Sequence, residues 1–64
     1  MLDEATISVP PSILLYADDS GSKPLKAVGL YTNESNFTVL GYRPGKPKPY
    51  LIGLNNSPLG WISL

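Results

Sequence analysis

The side chains able to do chemistry fall into four groups. Tyr16, Tyr31, Phe37, Tyr42, Tyr50 and Trp61 are the aromatics. Their flat apolar faces suit sugar rings or peptide glycines, and each tyrosine adds a hydroxyl for hydrogen bonding. The acids outside the N-terminus are Asp18, Asp19 and Glu34, and Arg43, Lys46 and Lys48 form a local basic cluster. Amides at Asn33, Asn36, Asn55 and Asn56 fit sugar recognition and turn formation equally well. There is no histidine and no cysteine. That removes His-dependent nucleophilic triads, disulfides and the usual zinc sites. Asp18 and Asp19 are adjacent, so a strand would point them to opposite faces and a loop would use them as turn formers. A binding or structural module is expected, not an enzyme, and no cofactor is expected.

Charge and size narrow the partners. Five basic and five acidic residues cancel, which argues against nucleic-acid binding through phosphate neutralisation. No apolar run approaches the ~18 residues that a membrane span needs. The N-terminus, Met1-Leu2-Asp3-Glu4, is acidic and lacks the basic flank and apolar run of a signal peptide. Action outside a cell would therefore require release by lysis, a holin-like route, or membership of a longer chain. The 64 residues make one small domain with a thin core.

The elements that must position these side chains read as strands and turns. Residues 1–6 are expected as a tail or linker remnant, and residues 7–64 as the domain. Ile7-Ser8-Val9 alternates and stops at Pro10-Pro11. Ser12 to Ala17 is an unbroken apolar run of the kind that packs on both sides. Asp18 to Pro24 is a polar loop in which Asx side chains turn the backbone and Gly21 takes positive φ. Leu25 to Tyr31 reads as strand and Thr32 to Asn36 as a second polar connection. Asn36 to Tyr42 is the central strand, rich in β-branched and aromatic residues. Pro44-Gly45 fits the centre of a type II turn. Tyr50 to Leu54 is the next strand, Asn55 to Gly60 a hairpin-like connection, and Trp61 to Leu64 the closing strand. No helix is favoured. Phe37 and Trp61 are expected in the core. Five to six short strands at this spacing predict an all-β fold, a small antiparallel barrel.

Four short motifs carry a family resemblance across Ile13 to Leu64. Ala27-Val28-Gly29-Leu30, Thr38-Val39-Leu40-Gly41, Tyr50-Leu51-Ile52 and Gly60-Trp61-Ile62-Ser63 follow one another in that order. In this order they resemble the bacterial SH3 (SH3b) domain of cell-wall hydrolases and phage endolysins. The chain departs from that family in Leu15 to Gly21, where a different loop is usual, and in its proline-rich stretch Arg43 to Pro49. The resemblance implies an SH3-like barrel that targets a catalytic domain to peptidoglycan peptide or a teichoic-type wall polymer. It implies localisation in the host bacterial cytoplasm and then the wall after lysis, or in the extracellular wall. Under it, Tyr16, Tyr31 and Tyr42 line one groove, with Asn33 beside them. Asp18, Asp19 and Glu34 hold an amine of the wall peptide, and the basic cluster meets an anionic polymer.

Two other readings stand beside this one. A structural or assembly domain, for example of a virion, would form a homo-oligomer or show an apolar patch. The stretch Leu14 to Asp19 also resembles the first strand of the eukaryotic SH3 domain, a protein-interaction module. The paired tryptophans and the final proline-and-tyrosine motif of that family are missing.

Overall fold

A computed structural model describes residues 5–63. The described residues form six strands, β1 (Thr6–Ser8), β2 (Leu14–Tyr16), β3 (Pro24–Ala27), β4 (Asn36–Tyr42), β5 (Tyr50–Leu54) and β6 (Ser57–Ile62). One 3-10 turn, Val28–Leu30, follows β3. All pairings are antiparallel, in one sheet of order β1-β4-β5-β6-β2-β3. The all-β expectation holds.

The centre of the sheet falls where the β-branched and aromatic residues are densest. β4 and β5 occupy the stretches read as strands from the sequence, Asn36–Tyr42 and Tyr50–Leu54. They are joined by the proline-rich loop, which starts with a type II turn. Gly45 sits at φ +85, and the Lys46 N–H donates to the Arg43 carbonyl at 3.4 Å. Only glycine takes that φ freely, and Pro44 sets the residue before it. Between β5 and β6 the turn is just Asn55-Asn56, with φ of 51 and 66. Positive φ at both residues matches the twist of a two-residue type I′ hairpin, and asparagine tolerates it.

Several boundaries differ from the sequence reading. The closing strand begins at Ser57, not Trp61, because the two-residue hairpin brings Ser57 directly opposite Leu54. The strand expected through Tyr31 ends at Ala27. The Val28 N–H donates to Ile13 and the Gly29 N–H to Pro11, which turns the chain under the Pro10-Pro11 corner. A Cβ on Gly29 would lie 2.8 Å from that of Pro11, so the close approach needs glycine. The run from Ser12 to Ala17 does not pack on both sides. Leu15 is fully buried while Leu14 is 38% exposed, the alternation of a strand with one face on the core. Ala5 and Thr6, at the end of the expected tail, join the sheet: the Val39 N–H donates to the Ala5 carbonyl, and Thr6 pairs with Thr38. Positions 1–4 of that tail, and Leu64, lie outside the described residues.

The core is Val9, Leu15, Val28, Phe37, Ile52 and Ile62, each at 1% exposure or less. These side chains come from segments spread along the whole width of the sheet, so the sheet curls around them. The link from β1 to β2 fits this. β1 lies four strand spacings from β2, roughly 19 Å if flat. Yet the connection contains a turn, with the Ile13 N–H donating to Pro10.

Of the three register shifts in the sheet, one places Leu25 and Lys26 of β3 together opposite Leu15 of β2, and the other two set which residues of β4 to β6 face the core. β4 and β5 pair Val39 with Ile52 and then Gly41 with Leu51, leaving Leu40 as an extra residue. β5 and β6 pair Ile52 with Gly60 and then Gly53 with Pro58, leaving Leu59 extra. A one-residue insertion reverses the facing of everything beyond it. Tyr42 is thereby carried to the core side, where it stacks on Tyr50 at 5.0 Å between ring centroids. Gly41 goes to the outer side.

Candidate binding site

The outer side of the sheet carries a registered row across four strands. Tyr16 on β2 pairs with Trp61 on β6, Trp61 pairs with Leu51 on β5, and Leu51 pairs with Gly41 on β4. The Trp61 expectation is therefore corrected. Its neighbour Ile62 enters the core at 1% exposure, so strand alternation turns the half-buried indole outward. Phe37 is in the core as expected. Gly41 ends the row beside Leu51 and the far edge of the Trp61 ring, where a Cβ would make only ordinary contacts at 3.5 to 4.0 Å.

Two loops close over this row. The polar loop after β2 and the proline-rich loop after β4 are joined by the Lys48 N–H, which donates to the Asp19 carbonyl at 3.0 Å. The second loop is closed at its base by the Arg43 N–H on the Pro49 carbonyl. The loops deliver two cations to the aromatic row. The Lys48 ammonium sits 4.5 Å from the centre of the Tyr16 ring, and the Arg43 guanidinium 5.7 Å from that of Trp61. Both are within the range of cation–π attraction. Arg43 also approaches the Asp19 carboxylate, at 3.6 Å. The basic cluster read from the sequence is thus divided: Arg43 and Lys48 lie on aromatic faces, and Lys46 is exposed.

Beside the row lies an open cleft of about 440 Å³ lined by Ala17, Leu25, Leu51, Pro58, Leu59, Gly60 and Trp61. Its lining residues are apolar, a surface suited to van der Waals contact. Sequence reasoning misses this cleft. Leu51 and Leu59 read only as parts of a strand and a turn, and the Leu59 bulge that opens this side has no sequence signal stronger than Pro58-Leu59-Gly60.

The seven candidate residues do not all meet here. Tyr16 and Asp19 belong to the outer site. Asp18 is next to it but engaged locally: the Ser20 hydroxyl and N–H donate to its Oδ1 at 2.6 and 3.1 Å. The Ser20 hydroxyl bond, and then the Ser20 N–H, nearby Lys23 and the Gly21 N–H, outweigh desolvation and hold the carboxyl below the ordinary aspartate range. This is the Asx turn expected of the loop, with Gly21 at φ +75. Tyr42 lies at the far end of the inner side against Tyr50. Tyr31 stands after the 3-10 turn, and its hydroxyl accepts from the Lys26 N–H at 3.2 Å. Asn33 and Glu34 are exposed in the following connection, where the Glu34 N–H donates to the Thr32 hydroxyl. Among the described residues no cluster of acids is arranged to hold a metal ion. No helix among them is long and apolar enough to cross a membrane.

Comparison with known proteins gives no relative: no family model matches the chain, and no curated protein or solved structure is significantly similar to it.

Proposed function

We propose that this chain is a non-catalytic binding module, an SH3b-like domain that holds a partner enzyme on bacterial cell wall. The observation that carries the reading is the open apolar cleft against Trp61, with the loop-borne Arg43, Asp19 and Lys48 close by. An apolar wall with a few charged groups at its rim suits weak, oriented contact with a wall peptide or a phosphate-bearing wall polymer. Affinity of this kind becomes useful when several modules or a tethered enzyme act together. The four motifs of the SH3b resemblance support the same reading.

The test is retention of the purified chain on Gram-positive sacculi, before and after acid removal of wall polymers. Binding that survives stripping assigns peptidoglycan, and binding lost with it assigns the polymer. Leu25→Ser, at a cleft residue already 39% exposed, should weaken retention without unfolding the domain. Absence of binding to every wall tested would defeat the proposal.

A second reading is an assembly or protein-interaction domain. A specific observation favours it: Leu14, Leu25, Leu30 and Tyr31, all substantially exposed, lie on β2, β3 and the turn after β3. Sedimentation of the free chain separates a self-assembling domain from a monomeric binder.

A further inference from the structure

Tyr42 and Tyr50 stand together at the far end of the inner side, and core packing does not account for the position of Tyr42. The two rings stack at 5.0 Å between centroids, with 25° between their planes. Tyr50 packs against the core, and Tyr42 lies on Tyr50 at 58% exposure. Tyr50 therefore covers one side of the Tyr42 ring, and much of the rest is open to water. Among the described residues neither phenol hydroxyl has a hydrogen-bond partner.

Two features of the backbone put the ring there. The bulge at Leu40 turns Tyr42 from the outer to the inner side, and re-aiming a side chain is a common use of a bulge. It does so without burying the ring. The outer side does not require the bulge either, because the residue it delivers there is Gly41, where a Cβ would make only ordinary contacts. The second feature is rigidity. Tyr42 and Tyr50 form the last pair before the proline-rich loop, and the Arg43 N–H donates to the Pro49 carbonyl next to them at 2.8 Å. Pro44, Pro47 and Pro49 restrict the loop further. A surface held in this way loses little more freedom when something binds to it. Arg43 and Lys48, the cations nearest in sequence, lie over Trp61 and Tyr16 on the other side. The tyrosine pair thus presents an open aromatic face with hydroxyls at its rim and no charge of its own.

We propose that the Tyr42–Tyr50 pair is a sugar-binding platform, and that its occupant is a neutral pyranose unit of a glycan. A pyranose offers a flat face of C–H bonds and a rim of hydroxyls. The C–H face suits the electron-rich face of the Tyr42 ring. The rim hydroxyls suit the phenol hydroxyls, each of which can donate and accept. A nucleotide base would also stack, but it brings phosphate charge that this pair does not answer. A wholly apolar ligand needs enclosure, which an open ring does not give. The inference does not depend on the wall-binding reading, because neither tyrosine lines the cleft.

The test titrates the full chain with cellotetraose and with the N-acetylglucosamine tetramer, both neutral, to millimolar concentration, followed by amide NMR. At least one sugar should shift the Tyr42, Arg43 and Tyr50 amides and leave those of Leu25 and Leu59 in the cleft unmoved. Tyr42→Ser removes an exposed ring, so amide dispersion should be retained while sugar binding weakens roughly tenfold. Tyr42→Phe keeps the face and loses one hydroxyl, and should weaken binding about three- to fivefold, the scale of one net hydrogen bond. Failure of both sugars to shift these amides, shifts confined to the cleft, or unchanged affinity in either variant would overturn the proposal. A proline hexamer that shifts the same amides more strongly than either sugar would also overturn it, by assigning the platform to a peptide.

Discussion

On the inner side of the curled sheet Phe37 lies at 1% exposure among Val9, Leu15, Val28, Ile52 and Ile62. On the outer side Trp61 and Tyr16 lie half-buried beneath Arg43 and Lys48. Both sides hide aromatic surface, but by different means. The inner ring is enclosed by aliphatic carbon from every part of the sheet. The outer rings are covered by loops and by cations whose charged heads stay near water, as amphipathic side chains commonly do. A domain this small lacks the chain to build a second layer over its outer side. Two docked loops take that place, and the cleft remains where they do not reach.

The difference should be plainest on removing one ring from each side. Phe37→Ala deletes the largest fully buried side chain, and such changes cost about 3–5 kcal/mol. Small domains have total stabilities toward the low end of about 5–15 kcal/mol. The variant should be largely unfolded at 25 °C, with collapsed amide dispersion in its NMR spectrum. Trp61→Ala should cost about half as much, roughly 1.5–2.5 kcal/mol, because one side of its ring is covered only by loop atoms. Its urea midpoint should fall while dispersion is retained. If Trp61→Ala unfolds the chain and Phe37→Ala does not, the assignment of inner and outer sides is reversed.

How far these sides can be read from the sequence depends on register. β4 and β5 are legible to the residue, because their β-branched and aromatic runs end at a proline-rich loop and a pair of asparagines. Alternation fails at Leu40 and Leu59, where an unpaired residue reverses the facing of the rest of the strand. Neither carries a mark of that role in its side chain. Tyr42 therefore lies on the core side although it is an odd number of residues from Phe37. The start of β6 is hidden by Ser57-Pro58, a pair typical of turns. Proline is tolerated there because β2 flanks β6 only at Trp61, further along, and Pro58 adjoins the bulge. Of the candidate site, Tyr16 and Asp19 are legible as chemistry. Their gathering with Arg43, Lys48 and Trp61 depends on two loops docking, which no local pattern encodes.

The cation cover should contribute far less than the rings it lies on. Arg43 is 65% exposed and meets Asp19 in a single long contact at 3.6 Å. Exposed pairs of this sort contribute about 0–1 kcal/mol, with a similar amount for an exposed cation–π contact. Arg43→Ala should lower stability by about 0.5–1 kcal/mol at low salt. The Asp19 part of that loss should vanish in about 1 M NaCl, while the stacking on Trp61 should persist. A red shift of Trp61 fluorescence in the variant would report the uncovered indole. Full stability and an unchanged emission maximum would mean that Arg43 does not cover the ring in solution.

The smallest effect should come from the polar loop that carries Asp19. Asp18 accepts from the Ser20 hydroxyl and N–H, and these bonds favour its ionised form over that in the unfolded chain. A carboxyl whose folded value is depressed stabilises the fold fully above its unfolded value, about pH 4. That contribution fades as pH falls through the lower folded value. Ser20→Ala removes the hydroxyl donor, the largest cause of the shift, and keeps the N–H. The variant should therefore have a shallower fall in Tm below about pH 4 than the wild-type chain, and Asp18→Asn a shallower one still. The Lys48 N–H bond to Asp19 ties this loop to the proline-rich one. Release of Asp18 in acid should thus also loosen the cover over Tyr16 before the core responds. Acid titration of the Lys48 and Phe37 amides by NMR would show that order, and simultaneous change at both would mean that the loops and the core unfold together.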